Sequence, residues 1–418
     1  MNWNDVLDRM LRQIMRGGSM QLHYPSGRVE RYGDGTGEPY VVRITDPTLP
    51  ARLARSPDLA LGEGYAEGGL TIDGDDLRGF MLFATRNAER AGRVWWRRPV
   101  IAARRALRSI RQFNRPAEAR RRVAHHYDLS SELYTLLLDA DRQYSCAYFK
   151  RPDDSLETAQ AQKKAHIAAK LRLEPGMRVL DIGCGWGGMA LTLAKDHGAQ
   201  VVGVTLSEEQ HRIATERARA AGLESRVEFR LTDYRNVRER FDRVVSVGMF
   251  EHVGVPHYRE YFRNVHDRLT DDGVALIHTI GRAQPPATTS AFIDRYIFPG
   301  GYIPALSEVT RAVEREDFYI TDVEVWRLHY AETLRHWYER FMANIDRARA
   351  IYDERFCRMW RYYLAASEMS FRANRHVVFQ VQMSRRLETL PLTRDYLYRD
   401  PEGRAELYLA AEKVRTVG

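Results

Sequence analysis

The chain is short of cysteine, of long apolar runs and of repeats, and each shortage removes a class of protein. Three cysteines in 418 residues, Cys146, Cys184 and Cys357, cannot make a disulfide framework, and no two stand as C-x-x-C. A reducing cytoplasm is the expected compartment. No apolar stretch nears the roughly 18 residues needed to cross a bilayer, which excludes an integral helical membrane protein. The first helix candidate carries Asp5, Asp8, Arg9 and Arg12 where an export signal needs unbroken apolar sequence, so no export is expected. His125, His126, His252 and His257 match no metal-ligand spacing, and no metal is expected. Low-complexity tracts are absent as well. What remains, 44% hydrophobic and 29% charged, suits a chain that buries a sizeable core in two domains.

Charge is unevenly placed. Thirteen arginines between Arg86 and Arg122 face only Glu89 and Glu118, a local excess of eleven positive charges in a chain whose total is +8. Such a run attracts a polyanion, either nucleic acid or the anionic headgroups of a membrane leaflet, unless its arginines pair with acids elsewhere. Before it, Trp3, Val6, Leu7, Met10, Leu11, Ile14 and Met15 form a helical stripe suited to core or dimer packing. Residues 20–75 are rich in Gly, Pro and Asp with short β-like stretches, and read as part of a small α+β domain. That domain is expected over 1–115, with the arginine run as connector, and a second domain over 116–418.

From about residue 160 the pattern becomes alternating strand and helix. RVLDIG, QVVGVTL, VEFRLTD, DRVVSVG and VALIHTIG are short apolar strands with room for helices between most of them. YITDVEVWRL and HVVFQVQMSR bracket a helical region near 331–370 and suit an antiparallel pair at the sheet edge. The fold class is therefore α/β, a doubly wound, mostly parallel, seven-stranded Rossmann-like sheet with a smaller amino-terminal α+β domain.

The loop DIGCGWGG follows the first of these strands. Gly183, Gly185 and Gly187 let the chain turn tightly and present backbone N–H groups to a ligand. Asp181 puts a carboxylate at the strand tip, which suits the ammonium of an amino-acid moiety and repels a pyrophosphate. By that carboxylate, S-adenosylmethionine is favoured over NAD. The second strand ends in Thr205-Leu206-Ser207 without the usual acid, leaving Gln210 to take the ribose. Asp233 and Tyr234 suit the adenine, acid to the exocyclic amine and ring to the face, while Asp233 is equally suited to an N-cap.

Six blocks then carry a resemblance: HYDLSSELY at 126–134, QYSCAYF at 143–149, VLDIGCGWGG at 179–188, VTLSEEQ at 204–210, MFEHVG at 249–254 and HTIG at 278–281. In this order they resemble the cyclopropane-fatty-acyl-phospholipid synthases and their mycolic acid methyltransferase relatives. LGEGYAEGGL at 61–70 is similar to the extra domain of the longer bacterial synthases, which tilts the substrate toward membrane phospholipid. The resemblance implies methyl transfer from S-adenosylmethionine to the double bond of an unsaturated acyl chain. A carbocation forms, and bicarbonate acts as the base. By motif the bicarbonate site maps to Glu251, His278, Ile280, Cys146 and Tyr330, and Tyr144 with Ser145 to the cofactor's carboxylate end. Ser367 stands where many relatives have a cysteine, which weakens any thiol mechanism. Tyr144, Tyr148, Phe149, Phe250 and Tyr296 lie near enough to the motifs to shield a cation.

The same resemblance implies a homodimer, working peripherally on the inner leaflet of the cytoplasmic membrane. Two rivals remain. Relatives use the same cation to make a methyl or methylene branch. A nucleic-acid methyltransferase would also use the basic run, but no base-flipping motif follows the fourth strand, so no nucleic-acid partner is expected.

Overall fold

The computed structural model describes residues 2–91 and 131–398. The amino-terminal part runs α1 (Trp3–Ile14), β1 (Ser19–His23), β2 (Val29–Gly33), β3 (Tyr40–Ile44), α2 (Leu49–Arg55), α3 (Pro57–Ala66), β4 (Leu70–Ile72) and α4 (Leu77–Arg90). Its sheet has the order β2-β1-β3-β4, with only β1 and β3 parallel. The Asn2 side chain caps α1. Leu7 and Met10 are buried, and Leu11, Ile14 and Met15 pack against the same core. The stripe expected to serve core or dimer is thus largely covered by its own chain. Most of the arginine run, Arg93 to Arg122, and the expected boundary at 115 lie outside the described residues.

The second part runs α5 (Ser131–Leu137), α6 (Leu156–Leu171), β5 (Arg178–Ile182), α7 (Gly188–His197), β6 (Gln200–Thr205), α8 (Glu208–Ala220) and β7 (Val227–Leu231). It continues through β8 (Phe241–Val247), α9 (Tyr258–Arg268), β9 (Leu269–Arg282), α10 (Ala291–Tyr296), α11 (Leu306–Val313) and β10 (Tyr319–Trp326). It closes with α12 (His329–Ala343), α13 (Ile345–Ile351), α14 (Glu354–Ala373) and β11 (His376–Ser384). Seven strands lie in the order β10-β11-β9-β8-β5-β6-β7, and β11 alone runs against its neighbours. This is the expected doubly wound sheet, and β10 with β11 forms the expected antiparallel pair. The helical region expected between them is three helices. No helix among the described residues is long and apolar enough to cross a membrane.

Two features position the site. First, β9 overruns its parallel neighbour: Val247 of β8 pairs with His278, and beyond that point β9 pairs with β11 as far as Arg282 against His376. Residues 279–282 therefore project past the carboxyl edge of the sheet, where open α/β sheets bind ligands.

Second, the amino-terminal part is packed onto the helices above that edge, and one core contains Leu7, Tyr65, Phe80, Trp337, Trp360 and Tyr362. The motif at 61–70 makes the contact. A Cβ on Gly62 would lie 2.3 Å from the Phe292 ring and 2.8 Å from Tyr362. Arg78 on α4 clamps Glu368 on α14 through two 2.8 Å hydrogen bonds, and Glu368 is fully buried. Asp58 accepts from the Ser290 hydroxyl and from the Ala291 N–H at 2.7 Å, capping α10 from α3.

Candidate active site

Two cavities meet at the carboxyl edge of the large sheet. The first is lined by ten of the residues expected to hold cofactor: Tyr144, Ser145, Asp181, Gly183, Gly185, Thr205, Leu206, Gln210, Asp233 and Tyr234. Gly187 is the exception. It caps α7 at φ +83°, and a Cβ there would meet the Phe229 ring at 2.6 Å, so packing of the helix onto the sheet requires this glycine. Gly185 has open space where its Cβ would be, room a close-lying ligand can use.

Asp181 is buried, its Oδ2 has no hydrogen-bond partner, and burial lifts its pKa to about 7. A buried carboxyl left this way calls for a donor or cation from a ligand. The ammonium of an amino-acid moiety supplies both, so S-adenosylmethionine fits the cavity by an unmet need as well as by shape. Thr205 donates its hydroxyl to Gln210 Oε1 at 2.9 Å, which orients the amide and leaves its N–H groups as donors. The acid missing from β6 is thus replaced by an oriented donor. Asp233 lines the cavity and also serves the turn beside it. Both its oxygens are engaged by Arg235, at 2.9 and 2.7 Å, and it caps the turn at 234–236, the alternative the sequence left open.

The second cavity, about 460 Å³, shares Tyr144, Ser145, Gly248 and His252 with the first. Glu251, His278, Ile280, Cys146 and Tyr330 all line it, as does Ser367. Five positions spread over 185 residues of sequence converge on one chamber. Glu251 accepts the Ile280 N–H at 2.6 Å through Oε1, while its buried Oε2 has no partner. The Ile280 N–H thus joins its strand directly to Glu251. Burial lifts Glu251 to about 7. Burial, reinforced by Lys163 and Lys170, holds His278 far below the ordinary histidine range, so the ring is neutral. The Gln380 amide donates to Nδ1 at 3.0 Å, which puts the ring proton on Nε2, and Trp326 stands edge-on at 5.1 Å. The buried Cys146 thiol is pushed up in pKa, which suits a wall and not a nucleophile.

The aromatic wall differs from the expected one. Of the five rings proposed, Tyr144 alone lines this chamber, its hydroxyl 2.9 Å from that of Tyr363. Tyr148 stacks on His166, Phe149 on His336, Phe250 sits among Tyr258, Tyr261 and Phe262, and the Tyr296 hydroxyl bonds Glu63. Phe292, Phe298, Tyr362, Tyr363 and Phe371 take their place, brought by α10, the turn after it and α14, whose positions no local motif betrays.

Sequence reasoning also missed Gln380 and Lys163. A glutamine among the apolar residues Val377, Val378, Phe379 and Val381 of β11 was a readable signal for the first. Lys163 is wholly buried on α6 and donates to Gln143 Oε1 at 2.6 Å and Ser145 Oγ at 2.9 Å; nothing in the sequence marks it.

A family model described as mycolic acid cyclopropane synthetase matches residues 114–381, and a domain of unknown function matches residues 6–92. The chain is 40% identical over 352 residues to cyclopropane-fatty-acyl-phospholipid synthase of Escherichia coli, covering 84% of this chain and 89% of that one. It is 34% identical over 389 residues to a tuberculostearic acid methyltransferase of Mycobacterium tuberculosis, covering 90% of each. Mycolic acid cyclopropane synthase CmaA1, crystallised with SAH and CTAB, superposes with a TM-score of 0.61 at 34% identity, over 63% of this chain and 97% of that one.

Proposed function

We propose, from the premise that this chain belongs to the mycolic acid cyclopropane synthetase family of S-adenosylmethionine-dependent methyltransferases, that it adds a methylene bridge across the cis double bond of an unsaturated acyl chain in membrane phospholipid. The observation that carries this reading is the aromatic-walled chamber joined to the cofactor cavity through Tyr144, Ser145, Gly248 and His252. S-adenosylmethionine supplies a sulfonium methyl: the alkene π pair forms the new C–C bond, the S–C pair stays on sulfur, and proton loss to bicarbonate from the added methyl closes the ring.

Asp181 holds the ammonium, Gln210 the ribose, and Ser145, braced by Lys163, the carboxylate end. Tyr144, Phe298 and Tyr363 supply the aromatic wall beside a developing carbocation and exclude water from it. Glu251, near its midpoint at neutral pH, shares a proton with an adjacent oxyanion instead of repelling it. The neutral His278 offers its Nε2–H to the same anion, and Tyr330 a hydroxyl. Together they hold a weak base without quenching it.

Access to the lipid is by peripheral binding. The arginine run, read from sequence alone, contributes roughly 1 kcal/mol per cation near an anionic leaflet, and Trp95 and Trp96 within it suit the headgroup interface. The deciding experiment adds purified protein and S-adenosylmethionine to oleoyl-containing anionic vesicles. A product one methylene heavier and bearing a ring is expected. The same mass with a methylene branch, or a methyl-branched chain, would assign the protein to the branching members of its family.

A further inference from the structure

An ammonium buried without an ion pair destabilises a fold, yet α6 keeps one. Lys163 is wholly buried, and among the described residues its Nζ bonds two neutral acceptors, Gln143 Oε1 at 2.6 Å and Ser145 Oγ at 2.9 Å. Burial, against the more distant Asp139 and Asp141, lowers its pKa to about 8, which leaves it mostly charged at pH 7. The segment it touches does not need it to hold its path. Asp139 Oδ1 accepts the Gln143 N–H at 2.8 Å, and the Gln160 amide donates to the Gln143 and Ser145 carbonyls at 3.3 and 2.9 Å. Thr333 Oγ1 accepts the Ala147 N–H at 3.0 Å. The backbone of 143–147 is therefore fixed by other groups, and the hydrogen bonds of Lys163 go to side chains alone.

An ammonium can donate but never accept, so both oxygens facing Lys163 must accept. For Gln143 this directs the Nε2 end onto Asp141 Oδ2, 3.0 Å away. For Ser145 it turns the hydroxyl proton away from α6, and no described residue takes that proton. Ser145 lines the cofactor cavity, as does Asp181, which lies near enough to feel the Lys163 charge and has an unpartnered Oδ2. The cavity thus offers an acid short of a donor and a hydroxyl short of an acceptor, the second backed by a cation. That pair complements the ammonium and carboxylate of an amino acid.

We propose that Lys163 is a positioning residue for the cofactor: it fixes the Ser145 hydroxyl as a cation-backed donor to the carboxylate of S-adenosylmethionine, and so makes the site select for that carboxylate. The proposal rests on the reading that puts the amino-acid end of the cofactor at Asp181 and Ser145, and it adds the group that gives Ser145 its polarity.

Calorimetry at pH 7 compares S-adenosylhomocysteine with its decarboxylated analogue, which keeps the ammonium and lacks only the carboxylate. Wild type should bind the intact ligand about tenfold more tightly, the worth of one charge-assisted hydrogen bond. Lys163→Met should bring the two affinities within about twofold of each other. Ser145→Ala should remove the same preference, and the double variant should take nothing further from it. A tenfold preference kept in Lys163→Met, or equal weakening of both ligands as a merely structural lysine would give, overturns the proposal. Should Lys163→Met fail to fold, Ser145→Ala decides, and a wild-type preference in that variant overturns it as well. Asp181→Asn keeps the two readings apart, because it should weaken both ligands through their common ammonium. If it weakens neither and wild type shows no preference, the placement of the amino-acid end itself falls. If wild type shows the preference and Lys163→Met retains it, only the role of Lys163 does.

Discussion

Replacing Glu251 by glutamine should make the protein more stable at neutral pH while making it a poorer enzyme. The glutamine retains an oxygen for the Ile280 N–H, so the 2.6 Å contact survives, but no buried group then titrates. In the wild type the glutamate loses its proton near 4.5 when unfolded and near 7 when folded, burial being the main cause. Between those values the folded state binds the extra proton, so stability falls as pH rises. The full loss is about 3 kcal/mol, most of it between pH 5 and 7. Asp181 pulls in the same direction, which is why the comparison must be variant against wild type at each pH. Urea unfolding at pH 5, 6, 7 and 8 should therefore show the Glu251→Gln advantage widening by about 2–3 kcal/mol across the series. Turnover on vesicles should drop. A gap that stays constant with pH would show that Glu251 does not carry its proton into the neutral range, and the proton-sharing role assigned to it would go with that.

Binding of S-adenosylhomocysteine should strengthen from pH 6 to 8, because the incoming ammonium selects the ionised Asp181. Calorimetry on Asp181→Asn should show weaker binding with that slope removed, and NAD should give no heat with either protein. Gln380→Leu should lower kcat roughly tenfold or more while cofactor affinity holds, since it frees the His278 tautomer without touching the first cavity. Arg78→Ala should cost about 2 kcal/mol in urea unfolding, less than a fully stripped buried charge because Arg372 still reaches Glu368 at 2.7 Å. Replacing Arg97, Arg98, Arg104 and Arg105 together by Gln should weaken sedimentation with anionic vesicles by at least tenfold, at up to roughly 1 kcal/mol per cation, with S-adenosylhomocysteine affinity intact. Equal vesicle binding would reduce the run to a solvated connector.

The sheet and its cofactor loop were legible because both are local. Strand periodicity, the glycines at 183 and 185 and the acid at 181 act through residues next to them in sequence. Glu251, His278 and Tyr330 were legible only through motif resemblance, since no periodicity brings a turn after β8, a strand and a helix start to one chamber. Asp233 was readable both ways, as a cavity residue and as a cap, and Arg235, two residues on, engages the same carboxylate, a contact the pattern permitted but did not require. The aromatic wall was misjudged. Nearness in sequence to a motif was used as a guide to nearness in space, whereas Phe298 and Tyr363 arrive from α10's flank and from α14. Gln380 belongs between these cases, a polar residue inside a buried central strand that has to have a partner and found His278.

The clamp between Arg78 and Glu368 bears on how such chains can change length over evolution. A descendant that discarded residues 2–91 would lose the Met81 and Thr85 portion of the chamber wall, the carboxylate that begins α10, and one of the two cations neutralising a fully buried acid. Loss by simple truncation would therefore be selected against unless position 368 had first become neutral. The residue at 368 thus becomes a diagnostic character: its identity in any relative should foretell whether that relative retains an amino-terminal unit.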